Sequence, residues 1–260
     1  MNHPVALVTG SSKRTGRVIA EKFAKQGFDL VVHYHASKAE ADETVSSLQA
    51  AGRRAIAVHA DLASHEQIRS LVEAAYTAFG RLDALVNCAS VYFPDHLGDF
   101  QVENLDQAWQ INCRAPVLLT QAYYQMAKER GHTGAVVNIV DQKVRDNFHP
   151  EDFSYTLGKV GLGYMTKMLA VSALDTLRVN AVYPGLMSQS GDQTEEDFAY
   201  ASKKSTLLGY VAGPEDIAEA VVMLATVKSF VGADLVLDAG QNLISVPQDV
   251  VSLYRAPKPE

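Results

Sequence analysis

The sequence predicts an α/β protein built on one parallel, doubly wound β-sheet with helices on both faces. Short β-branched runs alternate with helical stretches almost from end to end. The runs are nearly continuous in apolar residues, as in strands covered on both faces, rather than alternating. Strands that alternate with helices need crossover connections, and right-handed crossovers wind such a sheet in both directions.

Val5–Thr9 reads as the first strand, Thr15–Gln26 as a helix closed by Gly27, and Asp29–Tyr34 as the second strand. A helix over Lys38–Ala51 stops at Gly52, ahead of a strand at Ala55–Ala60. Ser64 is placed to cap the helix Glu66–Phe79, since its hydroxyl can accept from a first-turn amide, and Gly80 ends it. Leu82–Asn87 is a buried strand, followed by a long helical segment over Asn104–Glu129, the strand Ala135–Val140, the helix Phe153–Leu174 and the strand Arg178–Tyr183. Helical signals over Thr194–Lys204 and Glu215–Ala225 and a strand at Asp234–Asp238 complete the pattern. No linker, repeat or low-complexity tract interrupts it, so residues 1–246 are expected to form one domain. The tail 247–260, polar with three prolines, is expected to cover that domain or a neighbouring subunit. Val91–Gln101, Gln142–Asp152 and Gly185–Thr194 each follow the carboxyl end of a strand, where open α/β sheets hold their ligands.

With 47% hydrophobic residues among 260, the chain can bury a large core, which excludes disorder. Thirty acidic against 23 basic residues give a net charge of −7, a field that argues against general binding to nucleic acid or anionic membrane. No apolar run approaches the ~18 residues of a membrane span, and Met1–His3 lacks the start of a signal peptide. Cys88 and Cys113 are too few for a disulfide framework. The expectation is a soluble, cytoplasmic protein.

Thr9-Gly10-Ser11-Ser12-Lys13-Arg14-Thr15-Gly16 joins the first strand to the first helix. Glycines at the turn and at the helix start let the backbone approach a pyrophosphate, which the free amides and positive dipole end of the helix then bind. A plain βα loop can look the same, but the position on strand one inside a βαβ unit favours a dinucleotide. NAD sites usually carry a carboxylate at the end of strand two to take the ribose 2′-hydroxyl. Here that stretch reads His33-Tyr34-His35-Ala36-Ser37-Lys38, with no acid before Glu40. Lys13, Arg14, Ser37, Lys38 and the histidines can instead supply cations and donors to a 2′-phosphate, so the cofactor expected is NADPH rather than NADH. No Cys, Asp or Glu cluster stands beside His33 and His35 to complete a metal shell, and no metal is expected.

Tyr155 and Lys159 are four residues apart at a predicted helix start and share one face. A phenol near pKa ~10 cycles protons poorly at neutral pH, and a neighbouring ammonium favours its phenolate. Surface helices show the same spacing. This pair comes with Asp61-Leu62, Asn87-Cys88-Ala89-Ser90, Asn112, Pro184-Gly185 and Asp238-Ala239-Gly240. In that order these motifs resemble the short-chain dehydrogenase/reductase family over nearly the whole chain. The resemblance implies a single-domain Rossmann fold, a nicotinamide cofactor and hydride transfer with Tyr155 as proton donor. Lys159 would hold the nicotinamide ribose and lower the tyrosine pKa, and Asn112 would position a proton-relay water. Gly10, Lys13, Arg14, Thr15 and Gly16 would hold the cofactor with His33, Tyr34, His35 and Ser37. Further along the chain, Asp61, Leu62, Asn87, Ala89, Ser90, Pro184, Gly185 and Leu186 would complete its site. The family also implies a homotetramer packed through the Asn104–Glu129 and Phe153–Leu174 helices.

Three departures from the common family pattern matter. Arg14 replaces the second glycine of the turn, Cys88 and Ser90 alter the usual Asn-Asn-Ala-Gly, and Asp141 replaces the strand-five serine. With His33-Tyr34-His35 and Tyr92, these look like the pteridine reductase branch and related bacterial dihydromonapterin and dihydrofolate reductases. A serine hydroxyl suits a carbonyl oxygen, whereas a dihydropterin presents a C=N bond whose nitrogen needs a proton. Asp141 beside Tyr155 can relay one, the more so if burial raises its pKa. Tyr92 would stack on the flat ring, Arg14 would bridge the pyrophosphate and the pterin edge, and Ser90 would add a hydrogen bond. Other readings stay open: Asp141 as a strand-end carboxylate accepting backbone hydrogen bonds, Arg14 as a solvated helix-start residue, Tyr92 as loop lining. Cys88 and Cys113 read as small buried residues and Trp109 as helix packing. Asp141 and Tyr155 lie 14 positions apart, one more than the resemblance leads one to expect. A ketone or 3-oxoacyl thioester reductase and a non-catalytic NADPH sensor are the alternative functions.

Overall fold

The computed structural model describes residues 3–190 and 192–256; the last four residues of the expected tail lie outside them. The first strand, β1 (Val5–Val8), is buried throughout. Its neighbours are β2 (Asp29–Tyr34), paired Val5 to Asp29, and β4 (Ala84–Asn87), paired Ala6 to Ala84. With β3 (Ala55–His59), β5 (Gly134–Ile139), β6 (Leu177–Pro184) and β7 (Asp234–Leu237), they form one parallel sheet in the order β3-β2-β1-β4-β5-β6-β7. The order reverses between β1 and β4, opening a crevice beyond their carboxyl ends. Thr9 spans it: its amide donates to Val86, and its hydroxyl oxygen accepts from the Cys88 and Ala89 amides at 2.9 and 3.0 Å.

Successive strand residues face opposite sides. Leu7, Val31, Leu85, Val136 and Val179 enter one core with α3 (His65–Phe79) and α5 (Ala115–Glu129). Ala6, Val8, Leu30, Val32, Val86 and Val137 enter the other with α1 (Arg14–Lys25) and α8 (Pro214–Thr226). α2 (Lys38–Ala50) joins β2 to β3, and Ser64 caps α3 by accepting from the Gln67 amide, as the sequence predicts.

The helical segment expected over Asn104–Glu129 is present and contains one widened turn. α4 (Val102–Trp109) runs into a π-helical turn at Gln110–Arg114, and α5 follows with Pro116 in its first turn. Hydrophobic periodicity does not register one widened turn, because the apolar residues on either side keep facing the core. α6 (Phe153–Ser172) crosses this segment closely: a Cβ on Gly158 would lie 2.9 Å from the Ala108 carbonyl oxygen and the Asn112 Cβ. The opposite face of α6 leaves Tyr164, Met168 and Val171 open to solvent, Val171 at 80% exposure. α7 (Glu195–Ser205) begins at the Thr194 capping box, and a short α9 (Val250–Leu253) lies in the tail. No helix of the described residues is long and apolar enough to cross a membrane.

Candidate active site

A cleft of about 940 Å³ opens at the carboxyl ends of the central strands. Its floor is the turn after β1. Gly10 has φ +65°, and a Cβ on Gly16 would fall 2.3 Å from the Gly10 carbonyl oxygen, so neither position accepts a side chain without displacing backbone. No side chain caps the start of α1, which leaves first-turn amides free for an anion. Arg14, where the family usually has glycine, adopts φ +51°, a left-handed conformation costing an ordinary residue roughly 1–2 kcal/mol. Its exposed guanidinium borders the cleft.

His33 has a different task from the one expected. Its Nδ1 accepts from the Gly10 amide at 2.9 Å and its Nε2 lies 3.0 Å from the Ala60 carbonyl. Both nitrogens are occupied, so the ring props the turn instead of contacting a phosphate. Burial, with smaller contributions from His35 and His59, lowers its pKa from 6.5 to about 4 and keeps it neutral. Tyr34, His35 and Ser37 line the cleft with Lys13, and His35 stacks on His59 at 5.9 Å. Lys38 is paired with Asp42 on α2. Asp61, Leu62, Ala89, Pro184 and Gly185 continue the wall. A glycine cradle and an uncapped helix start, flanked by Lys13 and Arg14, suit a phosphorylated adenine dinucleotide.

Two expected contacts lie behind the wall. Asn87 donates from Nδ2 to Asn138 at 2.7 Å and ties β4 to β5. Leu186 is held by its amide on Gln241 at 2.8 Å. Asn112, brought inward by the π-helical turn, uses both polar atoms of its side chain on the loop after β4: Oδ1 accepts from Val91 N and Ser90 Oγ, and Nδ2 donates to the Val91 carbonyl. It therefore shapes that loop. Ser90 likewise gives its hydroxyl to Asn112.

At the deep end, Tyr155 donates from its hydroxyl to Asp141 Oδ2 at 2.8 Å. The other carboxylate oxygen accepts from the Lys143 amide at 2.8 Å and caps a 3₁₀ turn at Gln142–Val144. Asp141 thus does both things considered for it: it ends the strand and meets the phenol. Asp95, which the sequence did not single out, sets the start of α6 by accepting the Ser154 amide on its carboxylate and the Phe153 amide on its carbonyl. Lys159 is buried, donates to the Ile139 carbonyl at 2.8 Å and stands 5.7 Å from the Tyr155 ring centre. Burial and the adjacent Asp141 carboxylate push the Tyr155 phenol well above its usual pKa, and burial lowers that of Lys159. The net shift is opposite in sign to the one expected from Lys159, because burial comes first and the hydrogen-bonded Asp141 carboxylate adds to it. Tyr155 therefore holds its proton at neutral pH.

Between Asp141 and Tyr155, Asp146 and Asp152 take positive φ of 67° and 62°. Tyr92 is 54% exposed, edge-on to Tyr155 with ring centres 5.5 Å apart, and donates to Asp152. Gln107, Ile111 and Met187 also line the cleft and were not anticipated; of these only Met187 falls in a stretch the sequence flags. Burial pushes the Cys88 and Cys113 thiols up to about 11, against any nucleophilic role.

Residues 11–242 match the family described as enoyl-(acyl carrier protein) reductase. An uncharacterized oxidoreductase of Methylorubrum extorquens is 38% identical over 227 residues, covering 85% of this chain and 90% of that protein. Pteridine reductase 1 of Leishmania tarentolae is 31% identical over 285 residues, covering 92% and 96% respectively. The solved structure of FolM alternative dihydrofolate reductase 1 from Brucella canis, complexed with NADP, has a TM-score of 0.87 at 32% identity, covering 93% of this chain and 94% of that one.

Three outcomes follow from the turn. Above pH 6.5 His33 is neutral folded or unfolded; as the pH falls toward 4 only the unfolded chain takes up the proton, and stability drops. In urea titrations at pH 7 and pH 5, the protein will lose about 2 kcal/mol more between the two than His33→Asn does. Arg14→Gly will raise the urea midpoint by relieving roughly 1 kcal/mol of backbone strain. The same variant will bind NADP at least ~10-fold more weakly, as loss of one charge-assisted hydrogen bond predicts, read by fluorescence titration.

Proposed function

The chain belongs to the short-chain dehydrogenase/reductase family of oxidoreductases, and we propose that it is an NADPH-dependent reductase of 7,8-dihydropterins, with dihydrofolate within its range. The observation that carries this reading is the Asp141–Tyr155 hydrogen bond at 2.8 Å, where the common family pattern has a serine. When bound, a reduced nicotinamide supplies the hydride for the ring carbon of a C=N bond. The adjacent nitrogen then needs a proton. Tyr155 donates it; a proton arriving on Asp141 reverses their hydrogen bond and restores the phenol. The buried ammonium of Lys159 offsets the charge that passes through the phenol.

Gly10, Thr15 and Gly16 would hold the pyrophosphate with Arg14, and Lys13, His35 and Ser37 the 2′-phosphate. Asp61 and Leu62 would border the adenine, and Ala89, Pro184 and Gly185 the nicotinamide end. Tyr92, half-exposed beside Tyr155, would cover one face of a flat two-ring heterocycle, and Arg14 its polar edge. The relatives named pteridine reductase and dihydrofolate reductase support this assignment. The open apolar stripe Tyr164, Met168 and Val171 on α6 supports packing of copies into a homotetramer.

Cofactor absorbance followed against dihydrobiopterin, dihydromonapterin, dihydrofolate and a simple diketone, each with NADPH and NADH, tests the reading. A dihydropterin will be turned over with NADPH, and Asp141→Asn or Tyr155→Phe will lower turnover at least ~100-fold with cofactor affinity kept. Turnover of the diketone alone, tight NADPH binding without turnover, or equal affinity for NADH would each overturn it. In light scattering after gel filtration, Met168→Asp with Val171→Asp will yield a smaller species than the unmodified chain. A monomeric unmodified chain would remove the tetramer.

A further inference from the structure

Lys143 lies two residues beyond Asp141, on the 3₁₀ turn that Asp141 caps. Its side chain is only 7% exposed. The ammonium donates to Asp152 Oδ2 at 2.9 Å and to Asp249 Oδ2 at 3.3 Å, and stands 5.6 Å from the Tyr155 ring centre. Asp152 is itself 1% exposed, and its second oxygen accepts the Tyr92 hydroxyl. Asp249 accepts the Val251 amide at the start of α9, gives its own amide to Glu151, and lies 3.7 Å from His149. One cation therefore joins three stretches far apart in the chain: the loop carrying Tyr92, the approach to α6 and the tail.

We propose that Lys143 is a positioning residue, whose ammonium holds Tyr92 edge-on to Tyr155 through Asp152 and fastens the tail against the same wall through Asp249. What Tyr92 would touch rests on the pterin reading; the network does not. Burial opposes the lysine charge, but Asp141, Asp249 and Asp152 outweigh it, so the cation persists. Tyr92, Tyr155, His149 and Glu151 complete the groups around it. Without the ammonium, the buried Asp152 and the partly buried Asp249 would lose the cation they share. They would then take up protons or move apart, and either response weakens the hold on the Tyr92 hydroxyl. Arg255 gives the tail a second hold, on Asp197 of α7 at 3.2 Å and on Asp192 at 2.6 Å.

The test uses the full chain loaded with NADPH and 3-fluorotyrosine at position 92. Lys143→Met will shift or broaden the fluorine resonance. It will also raise the dihydropterin KM at least ~10-fold, the worth of about one charge-assisted hydrogen bond, while kcat and the NADPH Kd change far less. Lys143→Arg, which keeps the charge, will restore the resonance and the KM. If Lys143→Met does not fold, Asp249→Asn removes the tail's charge while keeping an acceptor oxygen for the Val251 amide, and amide exchange over 250–254 will quicken with a smaller rise in KM. A lower melting temperature with resonance and KM unmoved would overturn the proposal, as would unchanged exchange in Asp249→Asn. If no pterin is turned over by the unmodified chain, the substrate reading fails, and the fluorine and exchange data still decide the role of Lys143.

Discussion

The hydrogen bond from Tyr155 to Asp141 joins the end of β5 to the first turn of α6, and the chemistry of the site depends on that junction being held. Several contacts hold it. Asp95 receives the amides that open α6, Lys159 reaches back from the next turn to the Ile139 carbonyl, and Gly158 lets α6 sink onto the segment carrying Asn112. A side chain at position 158 would push the helix outward, and Tyr155 would move with it. Tyr155 and Asp141 are thus brought together by backbone contacts and close packing.

Replacing a serine by Asp141 brings a charge into a wall that already holds Asp152 and Asp249. Lys143 and Lys159 divide the response. Lys143 sits among the carboxylates and makes ion pairs with two of them, whereas Lys159 takes a neutral carbonyl and stays available to the cleft it lines. A single lysine could not do both, because an ammonium drawn to the carboxylates would leave the cofactor side of the phenol without a positive charge.

Much of this was legible in the sequence. All seven strands and the phosphate turn follow from apolar runs and glycine placement, which are local. Asp141, Tyr155 and Lys159 were legible because each fills a fixed place in an ordered set of motifs. What escaped notice depends on tertiary packing. Lys143 and Asp249 are 106 residues apart, and nothing in either neighbourhood announces the other. His33 looked like a phosphate ligand because its position along β2 is right; only the approach of Gly10 and Ala60 shows that both ring nitrogens are used. The π-helical turn left no mark on the apolar period, although it sets where Asn112 points.

The left-handed Arg14 has an evolutionary consequence. Every arginine codon is a single base change from a glycine codon, and glycine is the residue this backbone conformation favours. Mutational drift and folding stability therefore push this position the same way, toward losing the guanidinium. Only a selective demand on what the side chain grips can oppose that pressure, so lineages released from the demand should be recognisable by a glycine here.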